Sequence, residues 1–353
     1  MPDLRCCGQV VALQANYCSV HLDRPGPDGQ RRLLCTRRTR LGKSGQTIVV
    51  GDRVWLDGVD WPAGRAAVAA VDPRQLCLER PPVANITRVV VVVALAEPAL
   101  DPLQLTRFLI TAEGTGATVD LVFSKADLLP PAAVHDWLER ARSWGYDPLA
   151  ISNSLALSSN NAAGIDALRQ RLSNPGLAVL CGPSGVGKSS LINALIPQLD
   201  LRVSAVSGRL QRGRHTTRHV ELFALAAGAQ LADTPGFNRP ALPSEPGALA
   251  TCFPEIRAAL AAGGCQFSNC LHQGEPGCAM PEGWERQTLY NHCLQEVLEA
   301  ERRSTVQRSD GAGSQRQRGD RLEPRLAAQY RQPSRRGQRQ QTAARLNRPD
   351  PED

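Results

Sequence analysis

Residues Arg88–Leu95 form a near-continuous run of valine, with no polar side chain between Val89 and Leu95. A β-branched run without alternation predicts a strand covered on both faces, at the centre of a parallel sheet. After it, Leu105, Phe108, Leu109 and Ala112 recur at helical spacing and Gly114 ends the pattern; Val134, Trp137, Leu138 and Ala141 do the same before Gly145. Thr118–Phe123, Leu177–Leu180 and Ala229–Ala232 are short apolar runs of strand length. Strands alternating with helices predict a doubly wound α/β domain over residues 85–243.

The pattern before residue 85 is different. Gly8–Leu13, Tyr17–Val20, Leu33–Thr36, Thr47–Val50, Arg53–Leu56 and Ala66–Val71 are short β-type runs broken by Gly, Pro and Asp. Five or so strands in about 80 residues predict a small barrel over residues 1–84. Pro81-Pro82-Val83-Ala84-Asn85 reads as a linker. Arg31, Arg32, Arg37, Arg38, Arg40 and Lys43 cluster on one strand and its loop, either as a solvated basic face or as a nucleic-acid contact.

Past Pro240–Pro243 comes a shorter helical pattern over 244–300, with Leu289, Leu294, Val297 and Leu298 as a packing stripe. Beyond residue 300 apolar residues thin out and Arg, Gln, Ser, Gly and Pro dominate, which predicts a disordered basic tail over 301–353. The tail holds 13 arginines and 7 acidic residues, six of the chain's seven net positive charges, so the net charge of +7 is mostly a property of the tail. It offers salt-sensitive phosphate contacts. With 353 residues and 42% hydrophobic content, two or three soluble domains are expected. No run is long enough to span a bilayer, and no signal peptide is read at the N-terminus, so a cytoplasmic protein without a membrane partner is expected. Eleven scattered cysteines then point to metal ligands and free thiols rather than to a disulfide framework.

Two stretches carry chemistry. Gly182-Pro183-Ser184-Gly185-Val186-Gly187-Lys188-Ser189, followed by Ser190, is G-x-x-x-x-G-K-[ST] between a predicted strand and a predicted helix. Its backbone N–H groups would wrap a phosphate chain, Lys188 would bridge the outer phosphates, and Ser189 would hold Mg²⁺. Cys265, Cys270, His272 and Cys278 form C-x4-C-x-H-x5-C, a closed set for one structural tetrahedral zinc. Cys252 and Cys293 fall outside it.

Three further segments fit a GTP site. Asp233-Thr234-Pro235-Gly236 is D-x-x-G, whose aspartate would reach Mg²⁺ through water and whose Gly236 N–H would face the γ-phosphate. In Gly213-Arg214-His215-Thr216-Thr217, a threonine, here Thr217, would complete the Mg²⁺ shell. Ser124-Lys125-Ala126-Asp127 resembles N-K-x-D: Asp127 would accept two hydrogen bonds from the guanine edge and Lys125 would lie along the base. Ser124 stands where asparagine is usual. Ser152, in Ile151-Ser152-Asn153, falls in the loop that would back the base.

Ser124–Asp127 precedes the phosphate loop by almost sixty residues, whereas ordinary GTPases place the base-reading motif last. This order is that of a circular permutation. Together with the zinc signature it makes residues 4–300 resemble the circularly permuted GTPases of the RsgA (YjeQ) family. The resemblance implies an N-terminal OB-fold, in which Gly51–Val54 and Asp72–Arg74 are matching segments, a permuted GTPase domain and a zinc-binding C-terminal domain. It also implies GTP hydrolysis to GDP stimulated by the 30S ribosomal subunit, with 16S rRNA contacted by the basic face. Nothing in the sequence suggests a dimer interface, so a monomer is expected. In Ras-like enzymes a glutamine after D-x-x-G orients the attacking water; here that place is Phe237. His215 is the candidate to position water, the other reading being that it helps Arg209, Arg212 and Arg214 hold RNA. A non-enzymatic RNA-binding module with a slowly exchanging nucleotide, or an ATP-dependent kinase, are the alternatives at the level of function.

Overall fold

The structure, a computed structural model, describes residues 6–14, 16–37, 47–79, 81–152, 159–196, 220–225, 228–233, 240–311, 315–318 and 321–324. The chain forms two compact units, Met1–Leu294 and Gln295–Asp353.

The first unit opens with five strands, β1 (Cys6–Leu13), β2 (Tyr17–Leu22), β3 (Arg32–Arg37), β4 (Arg53–Asp60) and β5 (Arg65–Val71). Their order is β1-β2-β3-β5-β4, and β4 pairs back onto β1, so the barrel is closed and has no free edge. All these pairs are antiparallel except β3–β5. This is the connectivity of an OB-fold. Alternation fills it: on β2, Cys18, Val20 and Leu22 are buried while Ser19 and His21 are only half-buried.

Two expectations about this region change. Thr47–Val50 forms no ladder; Ile48, Val49 and Val50 are buried and the run turns at Gly51–Asp52, with only Val50 bridging to Val83. The turn is held by Asp52, fully buried, which accepts from Val49 N (2.8 Å) and from Arg74 Nε (2.7 Å). The presumed linker Pro81–Asn85 contains a strand, β7 (Pro82–Ala84), paired with β6 (Cys77–Glu79). Val83 and Ala84 are fully buried, and Pro82 sits at the start of its strand, where a missing N–H is tolerated. At Gly51 a Cβ would lie 2.1 Å from the Ala84 carbonyl, so this close approach requires glycine.

The α/β layer follows with β8 (Ile86–Ala94), α1 (Pro102–Glu113), β9 (Thr118–Ser124), α2 (Pro131–Ser143), β10 (Leu149–Ala150), α3 (Ser159–Arg171), β11 (Gly176–Cys181), α4 (Lys188–Leu195), β12 (Glu221–Ala224) and β13 (Ala229–Asp233). The strand order is β10-β9-β8-β11-β13-β12, parallel except for β12. β8 is central, and its valines split between two cores: Val89, Val91 and Val93 pack with Leu105 and Phe108, Val90 and Val92 with Leu191 and Ile192. The chain enters at β8, lays β9 and β10 to one side, and returns to place β11 on the other. β12 also pairs with β1 at Ala12↔Glu221, so the sheet runs on into the barrel.

The remainder is helical: α5 (Pro246–Thr251), α6 (Pro254–Ala262), an irregular Cys-rich loop, and α7 (Gln287–Gly311). Phe253, Ile256 and Tyr290 are fully buried, and Phe253 meets Tyr290 edge to face at 5.1 Å. In the second unit the helix continues to Gly311, and β14 (Gln315–Arg318) pairs antiparallel with β15 (Arg321–Pro324), where composition predicted disorder from residue 301. Ser304 and Thr305 hydroxyls donate to the Glu301 carbonyl, and Arg303 faces Glu299 one turn away, an i, i+4 ion pair suited to a helix. Among the described residues no helix is long and apolar enough to cross a membrane.

Candidate GTP site and metal centre

β11 delivers the chain to the phosphate loop through Gly182. Its φ is +141° and an added Cβ would lie 2.0 Å from the Val92 carbonyl of β8, so the exit from the strand requires glycine. Gly185 and Gly187 are also left-handed, with φ of +80° and +93°. Val186 is buried among Leu191 and Ile192 and anchors the loop. Gly187 caps α4 without a side chain, so the first N–H groups of α4 face the loop with its partial positive charge. Lys188 Nζ donates to the carbonyls of Gly182 (2.9 Å) and Pro183 (2.6 Å), which holds the ammonium over the loop. Ser184 and Ser189 are exposed, Pro183 and Ser190 half-buried.

The Ser124–Asp127 turn leaves the carboxyl end of β9. Ser124 is buried; its Oγ lies 2.6 Å from the Val186 carbonyl and 3.2 Å from that of Val93, and its single proton serves the nearer. Lys125 has φ +53°, which reverses the chain into a one-turn 3₁₀ helix over Ala126–Leu128, and its Nζ donates to the Glu97 carbonyl. Asp127 is exposed on that turn. Ala126 N donates to Ile151 O (3.2 Å) and Ile151 N to Phe123 O (2.8 Å), which brings Ser152 beside the turn. β13 ends at Asp233, next to β11, where Ala232 pairs with Val179. His215, Thr216, Thr217, Gly236 and Phe237 lie outside the described residues.

The phosphate loop, the Asp233 backbone, the Ser124–Asp127 turn and Ser152 thus leave the carboxyl ends of β11, β13, β9 and β10. The chain order reverses between β8 and β11, and ligands of open α/β sheets bind in the crevice at such a switch point. Glu97, on the loop after β8, carries no signal in the sequence, because its contact is through its carbonyl, which any residue type offers.

The second cluster lies in the loop before α7. Cys265, Cys270 and Cys278 Sγ lie 3.5, 3.8 and 3.6 Å from His272 Nδ1, and all four donor atoms fall within 4.8 Å of one another. A tetrahedral ion with bonds of about 2.3 Å to sulfur and about 2.0–2.1 Å to nitrogen requires S–N separations of roughly 3.6 Å. The donor set fits one metal ion. Backbone N–H groups of Ala279 and Met280 point at Cys265 and Cys278 Sγ (3.3 and 3.4 Å), as thiolates need. Burial lowers the His272 pKa, against the pull of Glu275, which favours the neutral ligand form. Glu275, which the cysteine spacing does not mark, accepts from Leu271 N and Gln273 N (2.8 Å each) and fixes the loop. Cys252 and Cys293 are buried outside the cluster.

On the barrel, Arg31 and Arg32 are exposed and Arg37 half-buried; Arg38, Arg40 and Lys43 lie outside the described residues. Arg32 Nε donates to Ser19 Oγ (2.6 Å), and Tyr17, 42% exposed, stands on the adjacent β2. Strands 2 and 3 form the face through which OB-folds bind oligonucleotides.

A family model described as RsgA GTPase matches residues 71–243. Over 288 residues the chain is 57% identical to the small ribosomal subunit biogenesis GTPase RsgA of Synechococcus sp. (strain CC9605), covering 81% of this chain and 92% of the relative. It is 48% identical over 337 residues to the protein of the same name from Thermosynechococcus vestitus, covering 94% of each. Among solved structures, YjeQ from Thermotoga maritima is similar with a TM-score of 0.68 at 28% identity, covering 84% of this chain and 99% of that one. YloQ, described as a circularly permuted GTPase, gives 0.67 at 26% identity, covering 85% and 96%.

Proposed function

Because the chain belongs to the RsgA GTPase family, we propose that it hydrolyses GTP on the small (30S) ribosomal subunit late in that subunit's maturation, as a cytoplasmic monomer whose turnover triggers its own release. The observation that carries this reading is the permuted sheet, which sets the phosphate loop and the Ser124–Asp127 turn on one end of parallel strands.

In this reading the loop Gly182–Ser190 binds the phosphates and Lys188 swings from the loop carbonyls to the β- and γ-phosphates. Asp127 accepts the guanine N–H groups, Lys125 covers the base and Ser152 backs it, so adenine leaves Asp127 unpaired and is rejected. Mg²⁺ neutralises charge between the outer phosphates when bound, and the hard oxygens of Ser189 and Thr217, with Asp233 through water, are the donors suited to it. Gly236 faces the γ-phosphate. Phe237 cannot orient water, and His215 takes that part on the ribosome, so turnover is slow without the subunit. Three thiolates and one imidazole with no open position fit a structural zinc. The basic β2–β3 face and the zinc loop contact 16S rRNA.

The test is GTP turnover by the purified chain, alone and with 30S or 50S subunits. Strong stimulation by 30S and none by 50S is expected. Binding to 30S without stimulation would point to a non-enzymatic RNA-binding module instead.

A further inference from the structure

Helix α2 starts at Pro131, directly after the Ser124–Asp127 turn, and its far end is gripped by the helical segment that carries the metal loop. Glu285 accepts from Arg140 Nε (2.6 Å) and Trp144 Nε1 (2.8 Å), two donors at the end of α2; Ser143 Oγ lies 3.3 Å from it and gives its single proton to the nearer Arg140 carbonyl (2.7 Å). Arg286, 1% exposed, is paired through two nitrogens with Glu255 and lies over the rings of Trp144 (4.9 Å) and Phe253 (4.7 Å). Phe253 packs on Tyr290, whose hydroxyl donates to the carbonyl of Leu271, the neighbour of ligand His272. Midway along α2, Trp137 meets Trp144 edge-on (6.5 Å) and packs on Phe123 (6.2 Å), the residue before Ser124. Packed rings and charge-assisted hydrogen bonds therefore run without a break from the metal loop to the turn.

We propose that Glu285 and Arg286 are positioning residues for that turn: by fixing α2 they hold Lys125 and Asp127 in register with the phosphate loop, so docking of the metal-bearing segment sets guanine-nucleotide affinity from the base side. This rests on the reading of Asp127 as the guanine acceptor. The route does not pass through the γ-phosphate, and this gives it a signature. Loosening the grip weakens GDP and GTP by the same factor, because the base is common to both. A route through the Asp233–Gly236 segment would change the GTP-to-GDP affinity ratio instead.

The experiment uses the full chain with its metal and follows dissociation of fluorescent GDP and of a fluorescent non-hydrolysable GTP analogue by stopped flow. Glu285→Ala is expected to raise both off-rates by about 5- to 10-fold, near the low end of allosteric couplings, with the cleavage rate of the GTP-saturated protein unchanged. Arg140→Met breaks the same contact from the α2 side and is expected to match it. Arg257→Met is the control: it breaks the Arg257–Glu113 pair (2.8 Å), which joins the same segment to α1 rather than α2, and is expected to alter neither rate. Unchanged off-rates in both clamp variants, a change confined to the GTP analogue, or an equal effect of Arg257→Met would each overturn the proposal. Asp127→Ala separates the two readings. If it leaves GDP binding intact, the base reading fails; if it weakens GDP binding while Glu285→Ala does not, only the clamp fails.

Discussion

Ser124 Oγ lies 2.6 Å from the Val186 carbonyl, so the end of β9 is fastened to the phosphate loop across the intervening strand β8. The two residues are 62 apart in sequence, and the bond is buried. A serine reaches the loop carbonyl from this place but has no amide to offer the base. Ser124→Ala would leave the Val186 carbonyl unpaired, a cost of about 1–3 kcal/mol. We expect it to weaken GDP and GTP binding by roughly 5- to 10-fold and to lower the melting temperature, as read by calorimetric titration and thermal unfolding. Unchanged affinity would show that the loop keeps its shape without this bond.

Gly182 offers a sharper test of the loop itself. With φ at +141° and the Val92 carbonyl 2.0 Å from any Cβ, alanine must move backbone in the centre of the sheet. Strain of this kind costs about 1–3 kcal/mol before the steric displacement is added. Gly182→Ala is expected to abolish nucleotide binding and to lower stability by at least about 2 kcal/mol in urea unfolding. Gly247→Ala, in helix α5 with nothing within 4 Å of the new Cβ, is the matched control and is expected to leave nucleotide binding unchanged and to cause no loss of stability.

What could be read from the sequence divides along physical lines. The valine run of β8, the glycines of the phosphate loop and the Cys/His spacing are legible because backbone geometry and coordination chemistry restrict which residues can stand there. Thr47–Val50 misled because burial alone gives an apolar run, while the choice between ladder and turn is made by Asp52 and Arg74, which close over it from outside. Pro81–Asn85 misled in the opposite direction: its prolines signal a break, yet Val83 and Ala84 are among the most buried residues. The grip of Glu285 on α2 joins positions more than 140 apart, and nothing local marks it. The same holds for Glu275, whose two backbone contacts turn an ordinary acidic residue into the brace of the metal loop.

Metal removal should act locally before it acts globally. The four donors converge in a loop braced by Glu275 and by the Tyr290 hydroxyl, and Tyr290 in turn packs on Phe253 and Trp284. Without a cation, three thiols and an imidazole have no reason to converge, and the packing above them loses its floor. Chelation, or Cys278→Ser, is expected to raise hydrogen exchange in Cys265–Tyr290 while the barrel strands β1–β5 keep their protection. Loss of protection across both regions at once would mean that the metal holds the whole first unit together.

Glu285 also gives the grip a pH dependence of defined sign. Burial alone would raise its pKa, but hydrogen bonds from Arg140 and Trp144, with the Arg140 charge, outweigh this and hold the carboxyl below the ordinary value of 4.5. A group whose folded pKa is depressed stabilises the fold above its unfolded pKa, and that contribution fades as pH falls through the folded value. Glu285→Gln keeps the shape and an acceptor oxygen but removes the charge. The stability difference between wild type and Glu285→Gln should therefore be constant from pH 7 to about 5 and shrink below about 4.5. Denaturant unfolding of both proteins across this range measures it. Acid release of the metal affects both alike and cancels in the difference. A gap that widens on acidification would mean that the Arg140–Glu285 pair is not what holds the carboxyl down.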